Sequence, residues 1–310
     1  MVVLQRPPRF RYTGPIIDAH IHFGSPAATA RMIRAGRLYG VRRWVAICRI
    51  EDVPAIRRRW GSQVAFNIWL DHRRPENDAQ FIATNLRIVE RAARARCHSL
   101  KLWYKPEFNQ STGLFFDDPR LDTVFEAIIA AGLPVLVHIA DPDVWWRRRY
   151  RDPERFESKT FTYRQLTNTL GRFPGLRVLV AHMGGCPENL AFLDELLRRY
   201  PNVCLDTSGT KWIARELSHQ PAAARSFLVR RCDRLMFGSD LVAFKDASLE
   251  HHCSRYWVHR HLYEQPRPVR SPIDDPDAGG FVYLAGLDLP DATLRRLYHE
   301  TAVAFFNLGG

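Results

Sequence analysis

Short apolar segments that each end in a histidine or an aspartate recur along this chain, and they constrain its fold most. The first carries His20 and His22 in alternate positions. Side chains two residues apart on a strand point to the same side, so both imidazoles can face one point. Later segments end in His138, His182 and Asp240. Such ligands suit Zn, and also Mn or Fe, so the pattern indicates a metal site.

Apolar strands alternate with amphipathic helices over most of the chain. The predicted strands are Ile16–Ile21, Trp44–Cys48, Val64–Trp69, Ser99–Leu102, Val135–His138, Arg177–Ala181, Val203–Asp206 and Leu235–Gly238. The predicted helices include Asp78–Ala93, Leu121–Ala131, Pro187–Tyr200, Ala222–Arg231 and Leu249–Glu264. This order predicts an α/β protein, a (β/α)8 TIM barrel. A doubly wound sheet is the alternative, but it usually has fewer strands, and no Gly-x-Gly-x-x-Gly follows the first strand.

A barrel fold predicts where the catalytic groups should lie, because active sites of such barrels are built at the carboxyl ends of the strands. The predicted ligands all lie at or just after such ends. Two long loops, Asp141–Phe161 after strand five and Leu241–Pro290 after strand eight, are expected to be functional. Gly36 and Gly132 are predicted to end helices. We expect residues 1–310 to form a single domain.

Composition narrows the class of protein. No apolar run reaches the roughly eighteen residues of a membrane helix, and the first residues lack a signal-peptide pattern, so a cytoplasmic protein is expected. Six cysteines without a Cys-x-x-Cys pair argue against a zinc knuckle or a disulfide scaffold. The net charge is +12 and only five of the 45 basic residues are lysine. The arginines are spread along the chain, which favours general surface use over nucleic-acid binding.

Four motifs together resemble those of the amidohydrolase superfamily: Asp18-Ala19-His20-Ile21-His22, His138, His182-Met183-Gly184-Gly185 and Gly238-Ser239-Asp240. They are most similar to the branch that holds decarboxylases, lactonases and other metal-dependent hydrolases. The segment Tyr298–Phe306 resembles the final helix of that branch, with Thr301 where an asparagine is often found. The likeness extends from Ile16 to Phe306 and implies a metal-dependent enzyme.

The resemblance implies roles for these residues. His20, His22, His138 and Asp240 would hold one divalent ion, with Zn expected and Mn or Fe as alternatives. Asp240 would also shuttle a proton, and His182 would be a further ligand or would polarise the substrate. Lys101, near the end of strand four, would bridge a second metal if carboxylated. The other interpretation is a lysine paired with a neighbouring carboxylate.

Several side chains near the strand ends are candidates for substrate binding. Asp141 either orients an imidazole or begins a turn, and Asp206–Ser208 either contacts substrate or forms a local turn. Residues 145–151 form an aromatic and basic cluster, interpreted as a lid over an anionic or sugar-like substrate or as a solvated charge run. The predicted substrate-binding residues are Trp103, Asp141, Trp145, Trp146 and Arg147. Tyr104 and Lys105 could also shape the pocket, and the side chains His251, His252, Tyr256 and His259 either line its mouth or are surface and packing residues.

The predicted reaction is hydrolysis of a small-molecule lactone, ester or amide by metal-activated water. The alternative is a metal-dependent non-oxidative decarboxylase of a small carboxylic acid. A third hypothesis is a non-enzymatic basic scaffold that binds nucleic acid through residues 145–151, which the complete ligand set disfavours. The expected partner is therefore a small molecule, with neither nucleic acid nor membrane, and a homodimer is the simplest oligomer.

Overall fold

A curled parallel sheet forms the centre of the protein, in a computed structural model that describes residues 4–73 and 77–309. The strand order β8-β7-β6-β5-β4-β3-β2-β1-β9 keeps sequential strands side by side, as in a barrel. A separate antiparallel hairpin consists of β10 and β11. The strands are β1 Ile16–His22, β2 Val41–Cys48, β3 Val64–Trp69, β4 Ser99–Trp103, β5 Val135–His138, β6 Val178–Val180, β7 Val203–Asp206, β8 Leu235–Met236, β9 Leu241–Val242, β10 Val269–Asp275 and β11 Gly280–Leu284.

The eighth strand closes the ring in two pieces. β8 pairs with β7, and β9 pairs with β1. Between them, the Phe237 carbonyl accepts the Ala19 N–H at 2.9 Å, and the Asp240 N–H donates to the His20 carbonyl at 2.8 Å. The interrupted segment 237–240 thus joins both ends of the sheet, and the predicted (β/α)8 barrel is confirmed.

Helices surround the barrel, and their bounds agree with the predicted ones to within a few residues. The α-helices are Pro26–Leu38, Val53–Trp60, Asp78–Arg94, Pro106–Thr112, Asp122–Ala130, Asp143–Arg149, Lys159–Arg172, Ala181–Gly184, Leu190–Arg199, Thr210–His219, Pro221–Arg230, Leu249–Glu264, Asp291–Arg295 and Thr301–Phe306. Single turns of 3-10 helix are Ile50–Asp52, Gly61–Gln63, Pro119–Leu121, Cys232–Arg234 and Pro276–Ala278, and Arg296–Glu300 is a π-helical turn. No helix within the described ranges is long and apolar enough to cross a membrane.

The prediction that Gly36 ends a helix was wrong. The helix continues to Leu38, and the left-handed residue that follows it is Gly40, with φ of 88°. A Cβ on Gly36 would lie 3.0 Å from the Trp44 ring and 3.2 Å from the Tyr256 hydroxyl, so this glycine allows close packing instead. Gly132, with φ of 67°, stands as predicted just after its helix.

A bulge in β1 redirects the histidines. From Asp18 to Ile21, three steps along β1 match only two along β2, from Trp44 to Ala46. Below the bulge, Ile17 and Ala19 pack inside the barrel, whereas Ile21 packs outside among the helices. The extra residue therefore places the alternate positions 20 and 22 at the mouth of the barrel.

The insertion after strand eight, residues 241–290, is held in place by buried ion pairs. Arg215, on the helix Thr210–His219, donates to Asp275 at the end of β10 and to Glu216, and both Arg215 and Asp275 are 1% exposed. The long helix Leu249–Glu264 packs between this helix and the first helix of the barrel. These contacts place the insertion over the carboxyl ends of the strands.

Candidate metal centre

Three predicted ligands converge at the barrel mouth. The Oδ1 atom of Asp240 lies 3.3 Å from Nε2 of His20 and 3.1 Å from Nε2 of His22. The ligand atoms of these three residues all lie within 4.8 Å of one another. The backbone of Asp240 is left-handed, with φ of 56°, which turns its side chain toward the histidines. The structure thus brings together groups from the first and eighth strands.

A buried carboxylate lies behind His20. The Nδ1–H of His20 donates to Oδ2 of Asp206 at 2.9 Å, and the other carboxylate oxygen accepts the backbone N–H groups of His182 and Ser208. These neighbours hold the pKa of Asp206 well below its usual range despite full burial. Sequence reasoning treated Asp206 only as a substrate contact or turn residue. Its place at a strand end, like the predicted ligands, was the available signal for this orienting role.

The hydrogen bond from His20 to Asp206 leaves the other ring nitrogen for a ligand role. Because Nδ1 carries the proton that is donated to Asp206, Nε2 is the ring atom turned toward Asp240. It lies 3.3 Å from a carboxylate oxygen of Asp240, close enough for both atoms to bind one ion. Two imidazole nitrogens and one carboxylate are ligands that Zn and Mn accept. The residues present therefore fit a divalent ion.

His182 approaches the same carboxylate from the sixth strand. Its Nε2 lies 4.0 Å from Oδ2 of Asp240, and its Nδ1 lies 2.7 Å from the hydroxyl of Ser208. The Ser208 hydroxyl donates to Asp206, so it accepts from Nδ1–H of His182. Burial lowers the pKa of His182 to about 3, so the ring is neutral and Nε2 keeps its lone pair. This pattern favours a ligand or proton-accepting role over donation to the substrate.

His138 lies beside this group and makes a different contact. Its ring packs edge-on against His182 at 4.6 Å, but its Nε2 lies 2.8 Å from Oδ1 of Asp141. Within the described chain, His138 belongs to neither of the two ligand clusters, His20–His22–Asp240 and His20–His182–Asp206. Asp141 also accepts the Tyr150 hydroxyl at 2.6 Å. Asp141 therefore orients an imidazole, which was one of its two predicted roles, and does not line the pocket over Asp240.

Lys101 faces the metal position from the fourth strand. It is 2% exposed, and its Nζ donates to Nε2 of His20 at 3.5 Å. No carboxylate within the described ranges lies within ion-pair distance of it. Burial lowers the pKa of Lys101 to about 8. The predicted pairing with a carboxylate is thus replaced by a contact with a histidine.

The loop that carries Asp240 is anchored on the first strand. Asp18 is fully buried and accepts the Ser239 hydroxyl at 2.6 Å and the Tyr256 hydroxyl at 2.8 Å. It also accepts the backbone N–H of Ser239 at 3.0 Å. Burial raises the pKa of Asp18 to about 6. Asp18, the first residue of the motif at the start of the barrel, therefore positions Asp240 through the residue before it.

Comparison with known proteins decides the family. Residues 17–308 match the family model described as amidohydrolase. The chain belongs to the amidohydrolase family. The resemblance inferred from the strand-end motifs is confirmed, as is an enzyme of the amidohydrolase type. No curated protein sequence matches the chain at a significant level.

Solved structures with this fold include decarboxylases and hydrolases. A 5-carboxyvanillate decarboxylase from Sphingomonas paucimobilis is 16% identical with a TM-score of 0.56, over 95% of this chain and 99% of that one. One from Novosphingobium aromaticivorans, in complex with manganese and a nitrobenzoic acid, is 13% identical with a TM-score of 0.59, over 99% and 100%. A Pseudomonas putida protein designated a 2-pyrone-4,6-dicarboxylic acid hydrolase is 16% identical with a TM-score of 0.54, over 95% and 98%. These likenesses show the fold.

The pocket of this amidohydrolase opens onto Asp240. A cavity of about 280 Å³ has Asp240 in its wall, and the Asp240 side chain is 30% exposed. Around it lie aromatic and cationic side chains from the long loops and from the helix Thr210–His219. The lining residues are Trp145, Gly209, Thr210, Lys211, Trp212, Ser239, Asp240, Leu241, Val242, Phe244, His251 and Arg255.

Only one of the predicted substrate-binding residues, Trp145, lines this cavity. Trp146 packs on Tyr150 at 4.8 Å between ring centres, and Arg147 is 70% exposed beside Asp143. Trp103 lines a separate small cleft with Lys101. Trp146 and Arg147 lie away from the cavity because the segment Asp143–Arg149 is a helix, which presents one face to the pocket and the others elsewhere.

Some histidines of the helix Leu249–Glu264 are buried and others line the pocket, a difference that the sequence alone left open. His252 and His259 are fully buried, and His259 contacts the Thr210 hydroxyl at 3.0 Å. His251 and Arg255, four residues apart on one face, line the pocket instead. Arg255 had no signal in the sequence beyond its place on the insertion.

Proposed function

We propose that this amidohydrolase hydrolyses a small-molecule lactone, ester or amide. The observation that supports the proposal most is the position of Asp240. Its carboxylate faces Nε2 of His20 and of His22 at about 3 Å and lies in the wall of the pocket. One carboxylate can therefore meet both the bound ion and the substrate.

The resident ion would be held by His20, His22 and Asp240, with His182 offering the nearest further nitrogen. We propose Zn, with Mn and Fe as alternatives. A divalent cation there would supply Lewis acidity that makes a water molecule acidic near neutral pH and polarises the scissile carbonyl. His138 Nε2 contacts Asp141, and among the described residues Nδ1 has no hydrogen-bond partner, so Nδ1 is the atom available for a ligand role. A bridging, carboxylated Lys101 remains a further proposal for a second ion.

Asp240 then acts as the proton carrier. Its neighbours hold its pKa well below the ordinary value, so it is ionised and can accept a proton from the attacking water at an Oδ atom. The same oxygen returns the proton to the leaving oxygen or nitrogen as the bond breaks. Burial lowers the pKa of His182, so its ring is neutral. The lone pair on its Nε2 therefore faces Asp240.

The competing reaction is decarboxylation, in which a proton would pass from Asp240 or His182 to carbon and CO2 would leave. The two reactions differ in their products. Hydrolysis in ¹⁸O-labelled water places the label in the acid product, whereas decarboxylation releases CO2 and incorporates no oxygen.

The test combines metal analysis with activity. Protein purified without added metal is analysed for bound ions, then assayed on a panel of aryl esters, lactones and hydroxybenzoates. We expect about one divalent ion per chain and label incorporation that Asp240→Asn lowers by about 10²–10⁴-fold. Asp194→Asn, a surface change beside Arg231, is the matched control. CO2 release without label incorporation would replace hydrolysis by decarboxylation, and a protein that binds no Zn or Mn would exclude the proposed mechanism.

A further inference from the structure

The pocket over Asp240 contains a guanidinium with an unused binding edge. We propose that Arg255 binds a carboxylate of the substrate, at a point remote from the bond that reacts. The inference rests on the proposed function, because it assigns a substrate class to the same pocket: small acids whose reacting group lies near Asp240.

The hydrogen bonds of Arg255 leave one side of its fork open. Nη1 donates to the His251 carbonyl at 3.1 Å and to the Ser254 hydroxyl at 2.8 Å. Nε and Nη2 have no hydrogen-bond partner within the part of the chain that the structure describes. The edge formed by Nε and Nη2 is one that receives both oxygens of a carboxylate in a bidentate pair. Arg255 is thus held in place by one nitrogen while its recognition edge is left for a ligand.

The charge of Arg255 is also uncompensated. Across the described ranges, no Asp or Glu oxygen lies within 4.0 Å of its nitrogens, whereas Arg148 pairs with Asp277 at 2.9 Å. Burial lowers the pKa of Arg255 to about 10, so the group remains charged at neutral pH. Placing an unpaired cation in a partly buried wall costs desolvation free energy. An anionic substrate would offset that cost.

The remaining walls suit a flat acid. Lys211 lines the same cavity and makes no hydrogen bond or ion pair within the described chain, so it adds a second cation. Trp145 and Trp212 meet edge to face, with ring centres 5.5 Å apart, and both line the cavity. Because Asp240 and Arg255 share one cavity of about 280 Å³, a single-ring compound is the size of ligand that the pocket can hold.

The test measures binding without turnover. Isophthalate, a flat ring with two carboxylates, is compared with 3-carbamoylbenzoate, in which one carboxylate is an amide. Binding to the Zn-loaded protein is followed by calorimetry. We expect the wild type to prefer isophthalate by at least about tenfold, as a charge-assisted bidentate pair implies.

Variants locate the effect. Arg255→Gln should remove the preference for isophthalate, and Arg255→Lys should restore it only in part because lysine lacks the planar fork. Arg94→Gln, an exposed arginine on the far helix Asp78–Arg94, is the matched control. A preference that persists in Arg255→Gln overturns the inference. Inorganic phosphate that displaces isophthalate more strongly than acetate does would also overturn it, in favour of a phosphate site.

The binding experiment can fail separately from the test of the proposed reaction. A protein that binds Zn and hydrolyses esters, but whose ligand preference ignores Arg255, would retain the function and lose the inference. A protein without metal-dependent hydrolysis, but with an Arg255-dependent preference, would lose the function and retain the anion site.

Discussion

His20 and Asp206 are joined by a hydrogen bond of 2.9 Å that links the first and seventh strands beneath the metal position. Both side chains are almost completely buried. The bond fixes the proton on Nδ1 of His20, so Nε2 is the atom that faces the proposed ion. Carboxylate–histidine pairs of this kind set the orientation and basicity of metal ligands.

Asp206→Asn should therefore weaken metal binding while leaving every proposed ligand in place. An amide has one acceptor oxygen, whereas Asp206 accepts from His20, His182 and Ser208. We expect the Zn dissociation constant to rise roughly 10–100-fold, measured by competition with a chromophoric chelator. Asp194→Asn serves again as the surface control. An unchanged dissociation constant would show that Asp206 does not support the ligand.

Tyr256→Phe should destabilise the protein through the loop of Asp240. The substitution removes the hydroxyl that donates to Asp18 at 2.8 Å in a fully buried site. We expect the free energy of unfolding to fall by about 1–2 kcal/mol, measured in urea. Tyr283→Phe is the matched control, because Tyr283 is 67% exposed. Equal losses in the two variants would contradict the anchoring role of Tyr256.

His98 should make stability depend on pH. The Phe66 N–H donates to Nδ1 of His98 at 3.1 Å, which requires an unprotonated ring nitrogen. Burial lowers the pKa of His98 to about 4, with Arg43 and Arg57 adding to the effect. The unfolded chain takes up this proton first, so the contribution is present above about pH 6.5 and is lost as the pH falls toward 4.

Comparison of unfolding curves from pH 4 to 7 isolates that contribution. His98→Gln should flatten the dependence of the unfolding free energy on pH by at most about 1.4 kcal/mol per pH unit, the value for one proton. His219→Gln, at a side chain that is 67% exposed, is the control for replacing a histidine by glutamine. A steeper slope in His98→Gln would reverse the sign that we derive.

Gly185→Ala and Gly171→Ala should shift stability in opposite directions. At Gly185, with φ of 67°, a Cβ would lie 2.0 Å from the Ala140 carbonyl oxygen, so we expect a loss of more than about 3 kcal/mol. At Gly171, within the helix Lys159–Arg172, a Cβ would meet nothing within 4 Å, so alanine should gain about 0.5–1 kcal/mol. Melting temperatures that move together would refute this account.

The strands and the ligands at their ends were predictable because both depend on short-range patterns. An apolar run followed by a histidine or aspartate identifies a buried strand and the residue at its carboxyl end. In a barrel those ends meet, so the sequence placed His20, His22, His138, His182 and Asp240 together at its mouth. The structure brings all but His138 into the two candidate clusters. The bounds of β3, β5 and β7 were predicted to the residue for the same reason.

Tertiary structure decided the partners of these residues. Asp206 accepts a hydrogen bond from His20, and Asp141 contacts Nε2 of His138. Contacts between side chains on distant strands depend on the register of the whole ring. Arg255 lines the pocket, whereas His252 does not. Successive helical residues are rotated by about 100°, so the packing of the helix Leu249–Glu264 determines which of its side chains face the pocket. The sequence by itself determined the barrel and placed the candidate ligands at the ends of its strands. The contacts that orient those ligands and line the pocket follow only from packing between segments far apart in the chain.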